Sequence, residues 1–256
     1  MSFTINKSAK FGRAICKIQG GKFDSLFILY VEDGHDLDDK KSFNNLKILD
    51  GKFIPCVNIN IERQIISSLG PSGSGKSYIA KLYMQDYKKQ FKKNPMFIMS
   101  ALDEDKTLDK DLPDLQRIKI NDKFISEPLE MNDFPDHCLV MLDDTDSIRN
   151  KDAKAQVDLL KDEILQTGRH KYITCILTSH QACNGKETKL LLNESHQIFV
   201  FMSSGANYQR LLQTYIGLST QQINKLKKMK TRYTCFVKGY PMIIYTEHEI
   251  MFMADL

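Results

Sequence analysis

An eight-residue glycine-rich segment constrains this chain more than any other feature. Residues 70–77 read Gly-Pro-Ser-Gly-Ser-Gly-Lys-Ser, which matches the phosphate-binding pattern Gly-x-x-x-x-Gly-Lys-[Ser/Thr]. The glycines allow the backbone to curl so that successive N–H groups point at phosphate oxygens. Lys76 offers a cation to the outer phosphates, and the Ser77 hydroxyl can ligate Mg²⁺. The segment therefore predicts a loop that binds a nucleoside triphosphate with its magnesium ion.

The residues on either side of this loop support the interpretation. Residues 63–69 read as a short, partly apolar strand, and residues 78–91 carry large side chains at approximately helical spacing. A strand, a glycine-rich loop and a helix form the arrangement that a phosphate-binding loop requires. The predicted nucleotide-binding residues are Gly70, Pro71, Ser72, Gly73, Ser74, Gly75, Lys76, Ser77 and Tyr78.

Composition limits the class of protein. The 256 residues are 42% hydrophobic and 27% charged, as in ordinary globular proteins. No run of 18 uncharged apolar residues is present, and the N-terminus lacks the apolar core of a signal peptide. We therefore expect no transmembrane segment and an intracellular location.

The formal net charge of +4 is too small to indicate a nucleic-acid partner by itself. Two local basic runs are more informative, because either could contact phosphates. A solvated helix face is the simpler interpretation of each run taken alone. The first run contains Lys88, Lys89, Lys92 and Lys93, and the second contains Lys225, Lys227, Lys228, Lys230 and Arg232.

The chain divides into two regions by pattern. Residues 1–62 hold short apolar segments separated by glycines and polar residues, which predicts a small β-rich region. Residues 63–256 alternate between strand-like and helix-like segments, which predicts a mainly parallel sheet flanked by helices. Ligands of such sheets lie at the carboxyl ends of the strands. Tyr233–Lys238 and Met242–Thr246 are predicted to form a closing β-hairpin.

A second motif completes the predicted nucleotide site. The apolar segment 138–142 ends in Asp143 and Asp144, which is the form of a Walker-B strand. Asp143 would support the magnesium ion, and Asp144 would orient and deprotonate the attacking water, a task more often given to Glu. A buried strand that ends in a polar turn is the alternative interpretation. The candidate strand at 95–100 lies between the two motifs in the chain, which permits a core with an additional strand.

The next apolar strand, Tyr172–Thr178, is followed by His180 and Gln181. A polar residue at this strand end can sense the outermost phosphate or the attacking water, with His180 as the first candidate and Gln181 as the second. Arg169 closes the preceding helix. It is either a partner of the helix dipole or an arginine finger that completes a neighbouring subunit's site.

Three blocks together resemble a known family. Gly70–Ser77, Leu139–Asp144 and above all Gly168–His180 are similar to the genome-packaging ATPases of large nucleocytoplasmic DNA viruses. These enzymes are the poxvirus-type branch of the FtsK/HerA superfamily of P-loop ATPases. The resemblance implies an additional-strand, RecA-like P-loop NTPase core, so the expected fold class is α/β.

The resemblance also implies activity, cofactors and partners. The family hydrolyses ATP with Mg²⁺, assembles as a homo-oligomeric ring and drives double-stranded DNA into a preformed capsid. On this basis Lys76 and Ser77 would bind phosphate and magnesium, and Asp143 would support the metal. The catalytic residues would be Lys76, Asp144, His180, Gln181 and Arg169. Capsid or other virion proteins would be further partners, and the location would be the host cytoplasm, the viral factory or the virion.

Two other functions remain open at this point. A nucleoside or small-molecule kinase shares the phosphate-binding loop, but it needs an acceptor pocket and usually an arginine-bearing lid, and no Arg-rich lid is evident. A non-enzymatic protein gated by nucleotide binding would also carry the loop. The second acid, Asp144, favours activation of water and hence hydrolysis.

Overall fold

A computed structural model of the chain describes residues 2–32, 42–180, 185–201 and 205–256. Within these residues the strands are β1 (Ser2–Asn6), β2 (Arg13–Gln19), β3 (Phe27–Val31), β4 (Asn45–Lys47), β5 (Lys52–Ile54), β6 (Ile65–Leu69), β7 (Met96–Ser100), β8 (Leu115–Lys119), β9 (Leu139–Leu142), β10 (Thr174–Ser179), β11 (Gln197–Phe201), β12 (Tyr233–Val237), β13 (Ile243–Thr246) and β14 (Glu249–Phe252). The helices are α1 (Lys76–Gln90), α2 (Asp122–Ser126), α3 (Lys151–Thr167), α4 (Gly185–Glu194), α5 (Gly205–Arg210) and α6 (Thr220–Lys228), and α5 continues as a π-helix over Leu211–Ile216.

A ten-stranded sheet forms the centre of the molecule, in the order β4-β14-β13-β12-β11-β6-β10-β9-β7-β8. The six strands from β11 to β8 are parallel to one another. The strands from β12 to β4 continue the sheet in antiparallel fashion, and β12 and β13 form the predicted hairpin. The predicted α/β class, with a parallel core, a β-rich N-terminal region and a C-terminal hairpin, is confirmed.

The additional strand of the core is β10, which lies between the P-loop strand β6 and the Walker-B strand β9. The strand at 95–100 was the sequence-based candidate for this additional strand, because it lies between the two motifs in the chain. It is β7, and it lies on the far side of β9. The order in the sheet differs from the order in the chain because parallel strands need crossover connections, and these allow a strand to skip its neighbours.

Helices cover both faces of the parallel strands, because side chains alternate between the faces. Ile66, Ile98 and Met141 pack on one face with α1. Their neighbours in sequence pack on the other face with α3. α3 begins at Asn150, whose side chain accepts hydrogen bonds from two backbone N–H groups of the first turn. The nucleotide motifs therefore project from a sheet that is buried on both sides.

Residues 1–62 contribute to both sheets. β1, β3, β2 and β5 form a separate four-stranded antiparallel sheet, whereas β4 pairs with β14 at the edge of the large sheet. The Phe3 ring stacks on Phe252 with 4.5 Å between centroids. The boundary between residues 62 and 63 stays a prediction. In the described part of the chain, no helix combines the length and the apolar character that a membrane crossing requires.

Candidate active site

The glycine-rich loop joins β6 to α1 in the predicted manner. Gly73 and Gly75 adopt φ angles of 73° and 114°, a region that side chains with a Cβ avoid. Gly75 is the residue from which α1 begins. A methyl group on Gly70 would lie 2.8 Å from Phe201 Cβ, so Gly70 allows the loop to pass close to the end of β11. The backbone of the loop can therefore face a phosphate while the loop packs against the sheet.

Lys76 lies buried at the centre of the site. Its Nζ donates to the carbonyl oxygens of Gly70 and Pro71 at 3.1 and 3.3 Å. It also lies 3.2 Å from His180 Nδ1 and 3.4 Å from Asp144 Oδ1. The loop, the Walker-B turn and the end of β10 therefore meet at this one ammonium group.

The two Walker-B acids are held by hydroxyl groups of neighbouring strands. Thr178 Oγ1 lies 2.9 Å from Asp143 Oδ1 and 3.1 Å from Asp144 Oδ1, and it accepts the Asp144 N–H at 2.8 Å. Ser100 Oγ, at the end of β7, donates to Asp143 Oδ2 at 3.3 Å. Asp144 adopts a left-handed conformation with φ of 45°, which turns the chain directly after β9. The acids are thus positioned from three adjacent strand ends.

The surroundings of Asp143 disfavour its charged form. Burial raises the pKa of Asp143 above its usual range, and the Asp144 charge raises it further, against the hydrogen bond from Thr178. A divalent cation would offset this penalty. Asp143 and Ser77 offer the oxygen donors that Mg²⁺ prefers, and such sites are completed by water and phosphate oxygens. The donor set therefore fits magnesium.

His180 connects the two sides of the site. Its Nε2 lies 2.8 Å from Asp144 Oδ2, and its Nδ1 faces the Lys76 ammonium. Because an ammonium group can only donate, Nδ1 must accept, and the ring proton then lies on Nε2 and is donated to Asp144. Asp146 Oδ2 accepts the His180 backbone N–H and the Ser179 hydroxyl, each at 2.9 Å. Gln181, the second candidate, lies outside the described residues.

Arg169 does not reach this site within the same chain. It precedes β10, whose last residue, Ser179, lies beside the loop and accepts the Gly70 N–H at 3.1 Å. The strand between them spans roughly 17 Å at 3.3 Å per residue. Arg169 is exposed at the amino edge of the sheet. A catalytic role for it therefore stays a prediction that needs a second subunit.

The glycine before Arg169 has a packing role. Gly168 ends α3 with φ of −56°, an ordinary helical value. A methyl group there would lie 2.8 Å from Arg63 Nη1. Arg63 passes over Gly168 and donates to the carbonyl oxygens of Ile164 and Leu165 at 3.0 and 2.8 Å. The arginine that caps this helix end is therefore Arg63, which sequence reasoning did not select.

Thr178 and Asp146 were also missed. Both follow the pattern that selected their neighbours, because each is a polar residue at or just beyond the carboxyl end of a central strand. In the sequence, Thr178 is the last residue of an apolar strand and Asp146 is part of a polar turn, so neither was selected. The signal was the strand end itself, where every polar side chain is a candidate.

The fold and the loop together define the class of this protein: it has the additional-strand fold of P-loop ATPases. No family model matches the chain. The chain is 37% identical over 249 residues to the uncharacterized protein V3 of Sputnik virophage, which covers 95% of this chain and 96% of V3. The chain therefore belongs to the same family as V3.

Solved structures similar to this chain include a conjugation coupling protein and a viral DNA-packaging ATPase. The conjugation coupling protein TcpA of pCW3, solved as a monomer with ATPγS, superposes with a TM-score of 0.52 at 11% identity, over 90% of this chain and 76% of TcpA. B204, the DNA-packaging ATPase of Sulfolobus turreted icosahedral virus, gives a TM-score of 0.47 at 19% identity, over 73% of this chain and 94% of B204. The likeness to TcpA supports the fold.

Proposed function

We propose that this protein is an ATP-hydrolysing motor that moves double-stranded viral DNA into a capsid, as a member of the FtsK/HerA-type packaging ATPases. The observation that carries the proposal is the meeting of Lys76, Asp144 and His180 beside a glycine-rich loop. A cation, a carboxylate for water and a polar sensor are the parts that triphosphate hydrolysis needs. The resemblance of the three sequence blocks to packaging ATPases supplies the DNA and capsid partners.

The geometry supports a defined division of roles. The loop N–H groups and Lys76 would bind the outer phosphates, with Lys76 exchanging the Gly70 and Pro71 carbonyls for phosphate oxygens. Lys76 would then also leave Asp144, whose carboxylate becomes available to accept a proton from water. His180 would report the presence of the outermost phosphate to Asp144 through its Nε2–H.

Magnesium would be held by Ser77 and Asp143, with Ser100 behind Asp143. When bound, the ion would neutralise charge on the phosphate oxygens. Thr178 keeps the Asp143 carboxylate oriented by its hydroxyl hydrogen bond. The chain's own contribution to this chemistry is a buried, hydrogen-bonded carboxylate placed beside the loop.

The assembly follows from the same proposal. We propose a homo-oligomeric ring in which DNA is gripped through its backbone and not by base sequence. Arg169 on the amino edge would serve as a residue of the subunit boundary. A virophage relative fits action inside an infected cell, with capsid or other virion proteins as further partners.

The test is hydrolysis of ATP by the purified full chain with and without duplex DNA of random sequence. We expect magnesium-dependent release of phosphate that duplex DNA stimulates. Lys76→Ala removes the cation from the outer phosphates and should abolish turnover and weaken ATP binding. Phosphate release and binding of a fluorescent ATP analogue measure the two effects.

Lys76→Arg is a useful companion variant, because it keeps the charge but not the shape of the ammonium group. If ADP forms only when a small hydroxyl-bearing acceptor is added, and the phosphoryl group ends on that acceptor and not on water, the protein is a kinase and the motor proposal is wrong. If Lys76→Ala hydrolyses ATP at the wild-type rate, the loop is not the active site.

A further inference from the structure

The two basic runs lie at opposite edges of the large sheet. α1 begins at the phosphate-binding loop and rises about 22 Å over its 15 residues, so its basic end lies far from the loop. Lys88 confirms this placement by pairing with Asp114 at 3.1 Å, just before β8 begins at the amino edge. The second run starts in the last turn of α6 and ends at Arg232, just before β12. Because Tyr233 pairs with Phe201, this run lies at the carboxyl edge, beside the loop.

The register of the strands gives the distance. Phe201 follows Val200, which pairs with Leu69, the residue before Gly70. Tyr233 is therefore level with Gly70 and two strands away, roughly 10 Å at 4.8 Å per strand. Arg232 and the residues before it project beyond this level. The second basic run thus borders the nucleotide site, whereas the first does not.

Three cations of the second run are available to an external anion. Lys228, Lys230 and Arg232 are exposed, and no carboxylate in the described residues lies within 4 Å of their charged groups. The buried Glu247 accepts the Arg232 backbone N–H at 2.8 Å and pairs with Lys52 at 3.2 Å, so its charge is directed at other groups. In the first run Lys88 pairs with Asp114 at 3.1 Å, whereas Lys89, Lys92 and Lys93 have no carboxylate within 4 Å in the described residues either.

A packed aromatic pair links this edge to the loop. The rings of Phe201 and Tyr233 lie 6.1 Å apart. Phe201 contacts the loop closely, since a methyl group on Gly75 would lie 3.2 Å from its ring. Tyr233 is buried and donates its hydroxyl hydrogen bond to the Phe53 carbonyl oxygen. Two packed rings therefore lie between the residue that follows Arg232 and the loop that would hold the phosphates.

We infer that Lys228, Lys230 and Arg232 form the surface that binds the phosphate backbone of duplex DNA, at the edge of the sheet beside the phosphate-binding loop. The inference rests on the proposed function, because it names where that function's partner binds. Each cation that neutralises a DNA phosphate releases a condensed counterion, so such binding weakens steeply with salt.

Two triple variants of the full chain test the surface. The first carries Lys228→Gln, Lys230→Gln and Arg232→Gln. The matched control carries Lys89→Gln, Lys92→Gln and Lys93→Gln, which are also exposed and remove the same three charges. Binding of a random-sequence duplex is measured by fluorescence anisotropy between 50 and 200 mM KCl. Binding of an ATP analogue and thermal unfolding are measured in parallel.

We expect the first variant to bind DNA at least tenfold more weakly at 50 mM KCl, and its slope of log affinity against log salt to become shallower by about 2 to 3. The control should lose less than one unit of slope. Equal losses in both variants would show that net charge alone sets the affinity, and a larger loss in the control would assign the surface to α1. Either result overturns the inference.

The outcome separates this inference from the proposed function. If the wild-type chain hydrolyses ATP but does not bind duplex DNA at 50 mM KCl, the DNA partner of the proposed function is wrong. If the wild type binds DNA and the first variant binds it equally well, only the surface is wrong. Weaker binding of the ATP analogue to the first variant would show that these cations bind the nucleotide and not DNA, which also contradicts the inference.

Discussion

At the scale of single residues, the position of two carboxylates depends on one hydroxyl group. Thr178 Oγ1 lies within 3.1 Å of both Asp143 and Asp144 and also accepts the Asp144 backbone N–H. A hydroxyl has one hydrogen to donate, so Thr178 can donate to only one acid at a time. The shorter distance, 2.9 Å to Asp143, favours the acid assigned to magnesium.

Replacing this hydroxyl should slow hydrolysis more than it weakens nucleotide binding. Thr178→Val keeps the shape of the side chain but removes the hydrogen bonds of the Thr178 hydroxyl to Asp143 and to the Asp144 N–H. A loss of a positioning hydrogen bond of this kind costs about 1 to 3 kcal/mol, or roughly five- to 150-fold in kcat. Steady-state kinetics measure kcat and KM separately. Thr178→Ser keeps the hydroxyl and should retain most of the activity; equal rates for the valine and serine variants would contradict the role.

The sequence was informative about residues whose chemistry is tied to a strand end. Asp143, Asp144 and His180 were selected on that basis and Lys76 from the glycine-rich pattern, and the structure brings these four together. Arg169 precedes β10 and therefore lies at the opposite, amino edge of the sheet from these four residues. Its assignment to a subunit boundary depends on a second copy of the chain.

At the scale of elements, His196 joins two strands of the core. It lies between α4 and β11, and its Nδ1 accepts the backbone N–H of Ile65, the first residue of β6, at 3.0 Å. Burial, together with the nearby charges of Arg63, Lys238 and Arg13, lowers the pKa of His196 to about 4. The folded state therefore holds this imidazole neutral as an acceptor.

This depressed pKa predicts a loss of stability in mild acid. The unfolded chain binds a proton near pH 6.5 and the folded chain only near pH 4, so the stabilisation is present above pH 6.5 and is lost as pH falls toward 4. The loss attributable to His196 is about 3 kcal/mol. Urea unfolding at pH 7.5 and 4.5 measures it.

His196→Asn keeps a hydrogen-bond acceptor that does not titrate, so the difference in stability between the two pH values should shrink in this variant. His170→Asn is the control, because His170 is exposed and should leave the difference unchanged. An undiminished pH dependence in His196→Asn would assign the acid sensitivity to other groups.

Local pattern predicted most elements but not their arrangement. The alternation after residue 63 identified β6, α1, β9, β10 and the closing hairpin, since each is a short apolar run or a helical repeat. Strand order and the pairing of β4 with β14 could not be predicted, because they are contacts between residues far apart in the chain. The position of the second basic run beside the loop likewise depends on a long-range contact, the pairing of β12 with β11.

At the scale of the whole molecule, the two sheets share one core. A single cluster of buried side chains includes Phe3 and Phe53 from the small sheet, Tyr83 from α1, and Phe199 and Tyr245 from the large sheet. The backbone N–H of Phe53 also donates to the Glu247 carbonyl oxygen at 2.7 Å. Residues 1–62 are therefore expected to unfold together with the nucleotide-binding region, even though they read as a separate region in sequence.

The stacked pair Phe3 and Phe252 offers a direct measure of this coupling. Phe3 is completely buried, so Phe3→Ala should cost about 3 to 5 kcal/mol of unfolding free energy. The double variant with Phe252→Ala should lose less unfolding free energy than the sum of the single variants, by about 0.5 to 1.5 kcal/mol, because both single variants lose the same ring contact. Urea unfolding followed by circular dichroism measures all three.

Cooperativity is the decisive part of this prediction. If the sheets form one unit, loss of far-ultraviolet signal and loss of fluorescent ATP analogue binding should share one midpoint in the wild type, and both midpoints should shift together in Phe3→Ala. Leu49→Ala is the control, since Leu49 is 93% exposed at the edge of the same region and should change stability by less than about 0.5 kcal/mol. The contradicting outcome is two separate transitions, of which Phe3→Ala shifts only the first. Residues 1–62 would then fold as an independent unit, because the shared core would contribute too little free energy to make the two sheets unfold together.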